Sequence, residues 1–459
     1  MGGDVAQEDS RARAAHALNE GATGLDRSSV RPSDRVVATF FCIAAAASII
    51  AARSTAVVLP VLFVMVMALA RAERVPLRTL VKPVPEALPV AALLMFGMLS
   101  AAWSADAGVT LASTATAMLA LFAWLAIHRW LGEQPIRRIR HTAIWFVIAV
   151  LVGGGVLLTE LFSDQLIRRA IIDAFGLMPT APNRHYWLDA GGRVRVPDWD
   201  LNRSVAVANM LLWPAVLCAF CCWAGWTRRV LAFLLIVGTA VATGVSNHET
   251  SKLAIAAGLL CFGLASLRPR LAIGLMALVW TVAVLGSVPA ARIAYDPLAL
   301  HEASWLQGTA QARILIWSNV ADRVADAPII GSGVRSGLVL SDREELAQNH
   351  PQGTRGETEV PRHAHNVYLQ TWFELGLIGA ALFLVAGLAA LRALARMSER
   401  AQPYALATFA VFMAEIFSSW EVWQGWFVAL FALTLVYLAL AVRSAEGGQC
   451  QGRADDAAP

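Results

Sequence analysis

Long apolar runs alternate with short polar breaks from about residue 36 to residue 442. Most runs hold about 17 to 25 residues, the length that carries a helix across a bilayer. The short alternating segments that close a membrane β-barrel are not seen. The pattern predicts an all-α polytopic membrane protein with twelve spans. They lie near 36–52, 54–70, 87–103, 110–127, 142–161, 204–226, 230–246, 253–267, 271–288, 367–391, 403–420 and 425–442. The chain then divides into a polar tail over 1–34, spans one to five over 35–161 and a long loop over 162–203. Spans six to nine follow over 204–288, a larger loop over 289–366, spans ten to twelve over 367–442 and a second tail over 443–459.

Composition agrees with the pattern. With 57% hydrophobic and 15% charged residues, the chain departs from soluble domains, which average roughly 25% charged. A net charge of +4 gives no reason to expect a nucleic-acid partner; where the charges fall says more. Arg31, Arg35, Arg71, Arg78, Lys82, Arg129, Arg138, Arg228, Arg268, Arg392 and Arg400 all fall in breaks on one side of a twelve-span chain. Because Lys and Arg accumulate on the cytoplasmic side, both termini are expected there and both long loops outside. The first 34 residues carry no apolar signal-peptide core and read as a disordered tail. Adjacent Cys221 and Cys222 read as small buried hydrophobes rather than metal ligands.

The two loops have structure of their own. In the first, "SDQLIRRAIIDAFGL" puts Leu166, Ile167, Ala170, Ile171, Ala174 and Phe175 on one helical face. Such a helix suits either the membrane surface or a core within the loop. In the second, "GTAQARILIWSNVADRVADAP" reads as a helix with Arg313 and Trp317 on one face, broken by Pro328 and "IIGSG". The polar "LSDREELAQNHPQGTRGETEV" reads as an irregular flap over 341–360.

Chemistry gathers where the chain re-enters the membrane, in "VPRHAHNVYLQTWFELGLIG". His365 opens the tenth span, with Asn366 suited to cap it. The positive end of a helix disfavours imidazolium, and a neutral imidazole can act as a general base; a polar cap at the water interface is the alternative. His363 and His365 form a His-x-His pair with His350 and Glu359 close in sequence, but no residue beyond the pair has firm ligand spacing, so no metal is expected. His185, His248 and His301 have no partner that the sequence identifies. Arg203, Arg313 and Lys252 are cations suited to phosphate oxygens at the outer lip. Alternatively Arg203 snorkels, Arg313 pairs with a carboxylate, and Glu249 neutralises Lys252. Glu374 and Glu415 lie within spans, as an ion path or as helix-to-helix hydrogen bonds. Trp420, Trp423 and Trp426 fit an interfacial aromatic belt.

Arg313 and Trp317 in "ARILIW", "PIIGSG" from Pro328 to Gly333, and "HAHNVYLQTWFELGLIG" from His363 to Gly379 occur in that order around a long external loop. In this the chain resembles the O-antigen ligase and polymerase family of bacterial envelope glycosyltransferases. The resemblance implies an inverting, metal-independent transferase that needs no cofactor and takes an undecaprenyl-diphosphate-linked glycan as donor. It makes His365 the essential histidine, and Arg203 and Arg313 the donor-binding arginines. Lys252 stands where many relatives have arginine, a point charge in place of a fork. His363, Asn366, Trp317 and Tyr368 would support the site. The implied activity is ligation of O-antigen to lipid A–core oligosaccharide in lipopolysaccharide biosynthesis, at the periplasmic face of the inner membrane. A repeat-unit polymerase or a protein O-oligosaccharyltransferase is the alternative within the family, and a lipid-linked glycan flippase or other transporter the rival outside it.

Overall fold

A computed structural model describes residues 31–82, 84–176, 187–189, 191–347 and 361–455. Sixteen α-helices run through them. The first seven are α1 (Pro32–Ile50), α2 (Thr55–Ala72), α3 (Leu77–Leu80), α4 (Leu88–Leu99), α5 (Ala107–Glu133), α6 (Ile136–Phe162) and α7 (Leu166–Ala174). Next come α8 (Asn202–Cys222), α9 (Gly225–Val245), α10 (Glu249–Leu267), α11 (Pro269–Tyr295) and α12 (Gly308–Arg323). The chain closes with α13 (Ser336–Ala347), α14 (Val367–Ala395), α15 (Gln402–Phe417) and α16 (Gly425–Asp455). A two-stranded antiparallel hairpin pairs β1 (Trp187–Leu188) with β2 (Val194–Arg195). The chain is an all-α multi-pass membrane protein.

Among the described residues, eleven helical segments are long and apolar enough to cross a membrane. The twelfth expected span is α15, an apolar helix of 16 residues. At 1.5 Å per residue it covers about 24 Å, less than the roughly 30 Å of hydrocarbon. The non-helical turn 418–424 continues from it, and its polar groups find partners within the protein. Local signals set the helix starts. The Asp106 carboxylate accepts from the Val109 amide at 3.0 Å to cap α5, and prolines stand in the first turn of α1, α11 and α15.

Helix α8 is the axis of the bundle, with 83% of its most apolar stretch buried. Around it α10 packs along α15, and α1 along α6. Asp34, at the edge of the tail read from sequence, lies inside: it accepts from Arg138 at 2.7 Å, and Glu73 and Gln134 hold the other side of that guanidinium.

The loops differ from expectation in three places. The ninth span continues as helix to Tyr295, and the first seven residues of the expected flap are helical in α13. Residues 348–360 of that flap lie outside the described residues. The tryptophan cluster does not form a belt: Trp423 and Trp426 are buried, and Trp423 donates to Glu374 Oε2 at 2.6 Å. Helix α7 does form, burying Ile172 against Val194 and Val196 while Leu166, Ile167, Ile171 and Phe175 stay exposed. That apolar face is what a helix on a membrane surface presents.

The tenth span, α14, is broken. Gly376 has φ 59° and ψ −157°, a region essentially closed to residues with a Cβ. There the segment 328–333 docks backbone to backbone. Ser332 N–H donates to Phe373 O at 3.0 Å, Gly333 N–H to Glu374 O at 2.8 Å and Leu377 N–H to Pro328 O at 2.9 Å. A Cβ on Gly331 would fall 2.3 Å from the Glu374 carbonyl carbon, and one on Gly376 would fall 2.5 Å from that of Ile329. The "PIIGSG" and "ELGLIG" stretches are therefore two halves of one junction.

Candidate active site

The site is organised by three consecutive residues in the turn after α15. Ser418 Oγ accepts from Arg313 Nη1 at 2.9 Å. The Ser419 carbonyl oxygen lies 2.7 Å from His365 Nδ1. The Trp420 ring faces the guanidinium of Arg203 at 5.8 Å and stacks on His248 at 4.8 Å. Arg203, Arg313 and His365, separated by up to 162 residues in sequence (365 − 203), thus meet at one turn.

A carbonyl oxygen can only accept, so Nδ1 of His365 must carry the proton in that bond. The neutral ring then has its lone pair on Nε2, the arrangement a general base requires. His365 has φ 52°, unusual for a residue with a Cβ. Local strain of this kind gathers at functional sites. Asn366 takes the capping role expected of it: its Oδ1 accepts from Leu369 N–H at 3.1 Å. The His363 ring lies 4.0 Å from that of His365. Trp317 holds the approach to the span by donating to Ala364 O at 2.9 Å. Tyr368 serves packing: its hydroxyl donates to Met413 O at 3.1 Å within the core.

The arginines are held differently. Arg203, at the start of α8, has Asp200 3.6 Å away and its guanidinium near both Trp420 and Trp426, while its buried Nε has no hydrogen-bond partner. An orphaned cationic donor of this kind suits an anion. Arg313 has its pKa lowered by burial, yet arginine keeps its charge at any ordinary pH. Lys252 sits apart, salt-bridged to Glu249 at 2.8 Å. Glu249 lines the cavity that also holds Arg313, so Lys252 reaches only its rim.

Glu415 joins helices: it accepts from Ser251 Oγ at 2.6 Å and from Ser419 Oγ at 3.2 Å, while Thr250 Oγ1 donates to Ser418 O at 2.7 Å. Glu374 ties α14 to its surroundings through Gln370, Trp423 and the Arg335 amide. Glu415 is thus the expected helix-to-helix hydrogen-bond acceptor, whereas Glu374 fastens its helix to a turn and a loop. Two participants were missed in sequence. His248 donates no readable motif, but its Nδ1 lies 2.6 Å from Ser251 Oγ, and burial with the nearby Arg313 and Arg203 charges pushes its pKa down to about 3. Arg335 binds Glu421 through Nε at 2.6 Å and Nη2 at 3.0 Å; only its place two residues after "GSG" hinted at it. Among the described residues no three His, Cys, Asp or Glu cluster as a metal site would need, and His350 and Glu359 lie outside them.

Both long loops contribute to one cavity of about 850 Å³, which puts them at the same end of the bundle. A second, apolar cavity of about 330 Å³ lies among α4, α5, α14, α15 and α16.

Comparison with known proteins agrees with the resemblance read from the motifs. Residues 231–384 match the O-antigen ligase family. A protein of Rickettsia prowazekii provisionally named a polysaccharide ligase is 27% identical over 331 residues, 70% of this chain and 79% of its own. One of Rickettsia felis with the same provisional name is 26% identical over 349 residues, 72% of this chain and 82% of its own. A third, of Rickettsia bellii, reaches 31% over 140 residues, 29% of this chain and 33% of its own.

Proposed function

We propose, from the O-antigen ligase match and the cluster at Ser418–Trp420, that this chain is a membrane glycosyltransferase that ligates polysaccharide. Its donor is a glycan on undecaprenyl diphosphate and its acceptor the lipid A–core oligosaccharide. Transfer takes place at the periplasmic face of the bacterial inner membrane, with both termini cytoplasmic. The observation that carries the reading is the bond from His365 Nδ1 to the Ser419 carbonyl, which supports a neutral ring with its lone pair on Nε2.

In the proposed reaction Nε2 takes the proton of the acceptor hydroxyl. The oxygen attacks the anomeric carbon from the face opposite the diphosphate, the bond to the diphosphate oxygen breaks and the configuration inverts. Arg203 and Arg313 offset the charge that builds on the leaving group, so neither metal nor cofactor is required. Lys252, held by Glu249, adds positive charge only at the rim. The apolar cavity of about 330 Å³ takes part of the isoprenyl tail.

Deleting the gene and examining lipopolysaccharide and undecaprenyl-linked glycan together tests the reading. Loss of O-antigen attachment with accumulation of lipid-linked polymer is expected. Accumulation of single lipid-linked repeats would instead identify a polymerase, and intact attachment would exclude both.

A further inference from the structure

Arg335 stands two residues beyond Gly333, where the larger loop docks on the broken α14. The loop is fixed there on a second side. Val334 N–H donates to Ser100 Oγ at 3.1 Å, and the Val334 carbonyl accepts from Thr110 Oγ1 at 2.8 Å. At φ 59° Arg335 has a left-handed backbone, uncommon for a residue with a Cβ. Its N–H donates to Glu374 Oε1 on α14 at 2.9 Å. Its guanidinium donates to both carboxylate oxygens of Glu421, from Nε at 2.6 Å and from Nη2 at 3.0 Å. The side chains of Arg335 and Glu421 are only 24% and 6% exposed. A two-pronged pair of this kind fixes direction as well as distance. Trp423 closes the triangle by donating to Glu374 Oε2 at 2.6 Å.

We infer that Arg335 and Glu421 are positioning residues for the base, because together they align the bond between His365 and Ser419. The inference rests on the transferase reading above. That bond joins two elements: His365 lies at the entry to α14, and the Ser419 carbonyl lies two residues before Glu421. Arg335 holds both elements, α14 through its backbone and the turn through its side chain.

Toward α10 the turn has a separate fastening. Thr250 Oγ1 donates to Ser418 O at 2.7 Å, and Ser251 Oγ donates to Glu415 just before the turn at 2.6 Å. Arg313 meets the turn at Ser418, beside that fastening, and Arg203 is carried by α8. Breaking the Arg335–Glu421 pair therefore disturbs the histidine and leaves the two arginines in place. Once the Nδ1–H bond loosens, the proton can transfer to Nε2. A ring protonated there has no lone pair at Nε2 for the acceptor hydroxyl.

The test uses the full-length protein in liposomes with purified lipid-linked donor and acceptor. Solid-state NMR of isotope-labelled histidine reads which ring nitrogen of His365 carries the proton, the signal being assigned by its loss in His365→Ala. Glu421→Gln keeps the side-chain shape but leaves the Arg335 charge unpaired. The double variant Arg335→Gln/Glu421→Gln leaves no lone charge and guards against simple misfolding. In both, kcat should fall about ten- to a hundredfold, with donor KM within about twofold of the parent, as for a slightly misplaced catalytic group. The His365 proton should shift from Nδ1 toward Nε2. Arg335→Lys, which keeps one charged contact, should lose less than Arg335→Gln. Parent-like kcat in the double variant would overturn the inference. So would a lower melting temperature with an unchanged tautomer, or a loss confined to donor KM. A parent that transfers no glycan, yet whose His365 tautomer follows Glu421→Gln, loses the transferase reading and keeps the positioning of His365.

Discussion

The Nδ1–H of His365 ends on the carbonyl oxygen of Ser419, 2.7 Å away and 54 residues further along the chain. That bond selects the tautomer and aims the opposite nitrogen, without drawing on any carboxylate. If Nε2 is the base, His365→Ala should insert and fold normally yet lose transfer by about 10²–10⁴-fold, the usual worth of general acid–base catalysis. Binding of the lipid diphosphate should survive. His363→Ala, whose ring lies 4.0 Å away, should keep most activity. Near-parent transfer by His365→Ala, measured in liposomes with purified donor and acceptor, would reduce the histidine to a polar cap.

Arg203→Lys and Arg313→Lys keep a positive charge but lose the planar fork. Both should weaken binding of the lipid diphosphate by about tenfold or more, since an ammonium cannot make paired phosphate contacts. Arg313→Lys should also loosen the turn that Ser418 anchors. Unchanged donor binding in both variants would remove the arginines from the donor site.

Gly376→Ala tests the broken span. The strained backbone alone costs about 1–3 kcal/mol, and the new Cβ would sit 2.5 Å from the Ile329 carbonyl carbon. A clear fall in melting temperature in detergent is expected, with the same for Gly331→Ala. Gly154→Ala, where a Cβ would meet nothing within 4 Å, is the control and should melt like the parent.

Acid should destabilise the protein partly through His248. Its pKa falls from the ordinary 6.5 to about 3 in the folded state. Between those values the unfolded chain binds the proton and the folded chain does not, so stability falls as pH drops. The loss begins near 6.5 and is complete near 3. His248→Gln should flatten that part of the profile of melting temperature against pH. An unchanged slope would show that other groups govern it.

The sequence carried the bundle well because each span must be apolar along its whole length, a signal that survives without tertiary information. Even α15, too short to satisfy a length rule, was readable from its hydropathy and the alternation of basic breaks. His365, Arg203 and Arg313 were legible as a charge or imidazole at a membrane lip. Their common anchor was not, because Ser418 and Ser419 take part through one hydroxyl and one backbone carbonyl, groups that nearly any turn could offer. His248 was missed for a related reason: its partners Ser251 and Glu415 are set by the packing of α10 on α15. The inward turn of Trp423 needed the buried Glu374 to explain it, and that pairing spans 49 residues.

The docking of 328–333 onto the broken α14 also bears on how the protein is made. The acceptors for Ser332 and Gly333 are carbonyls of Phe373 and Glu374, about forty residues later in synthesis. Until α14 has been made, those amides lack their final acceptors. The segment 328–333 therefore cannot take its final hydrogen bonds until the helix that follows it has been made. The turn after α15, where Arg313 and His365 meet, emerges later still, so that cluster can close only once α15 has been made.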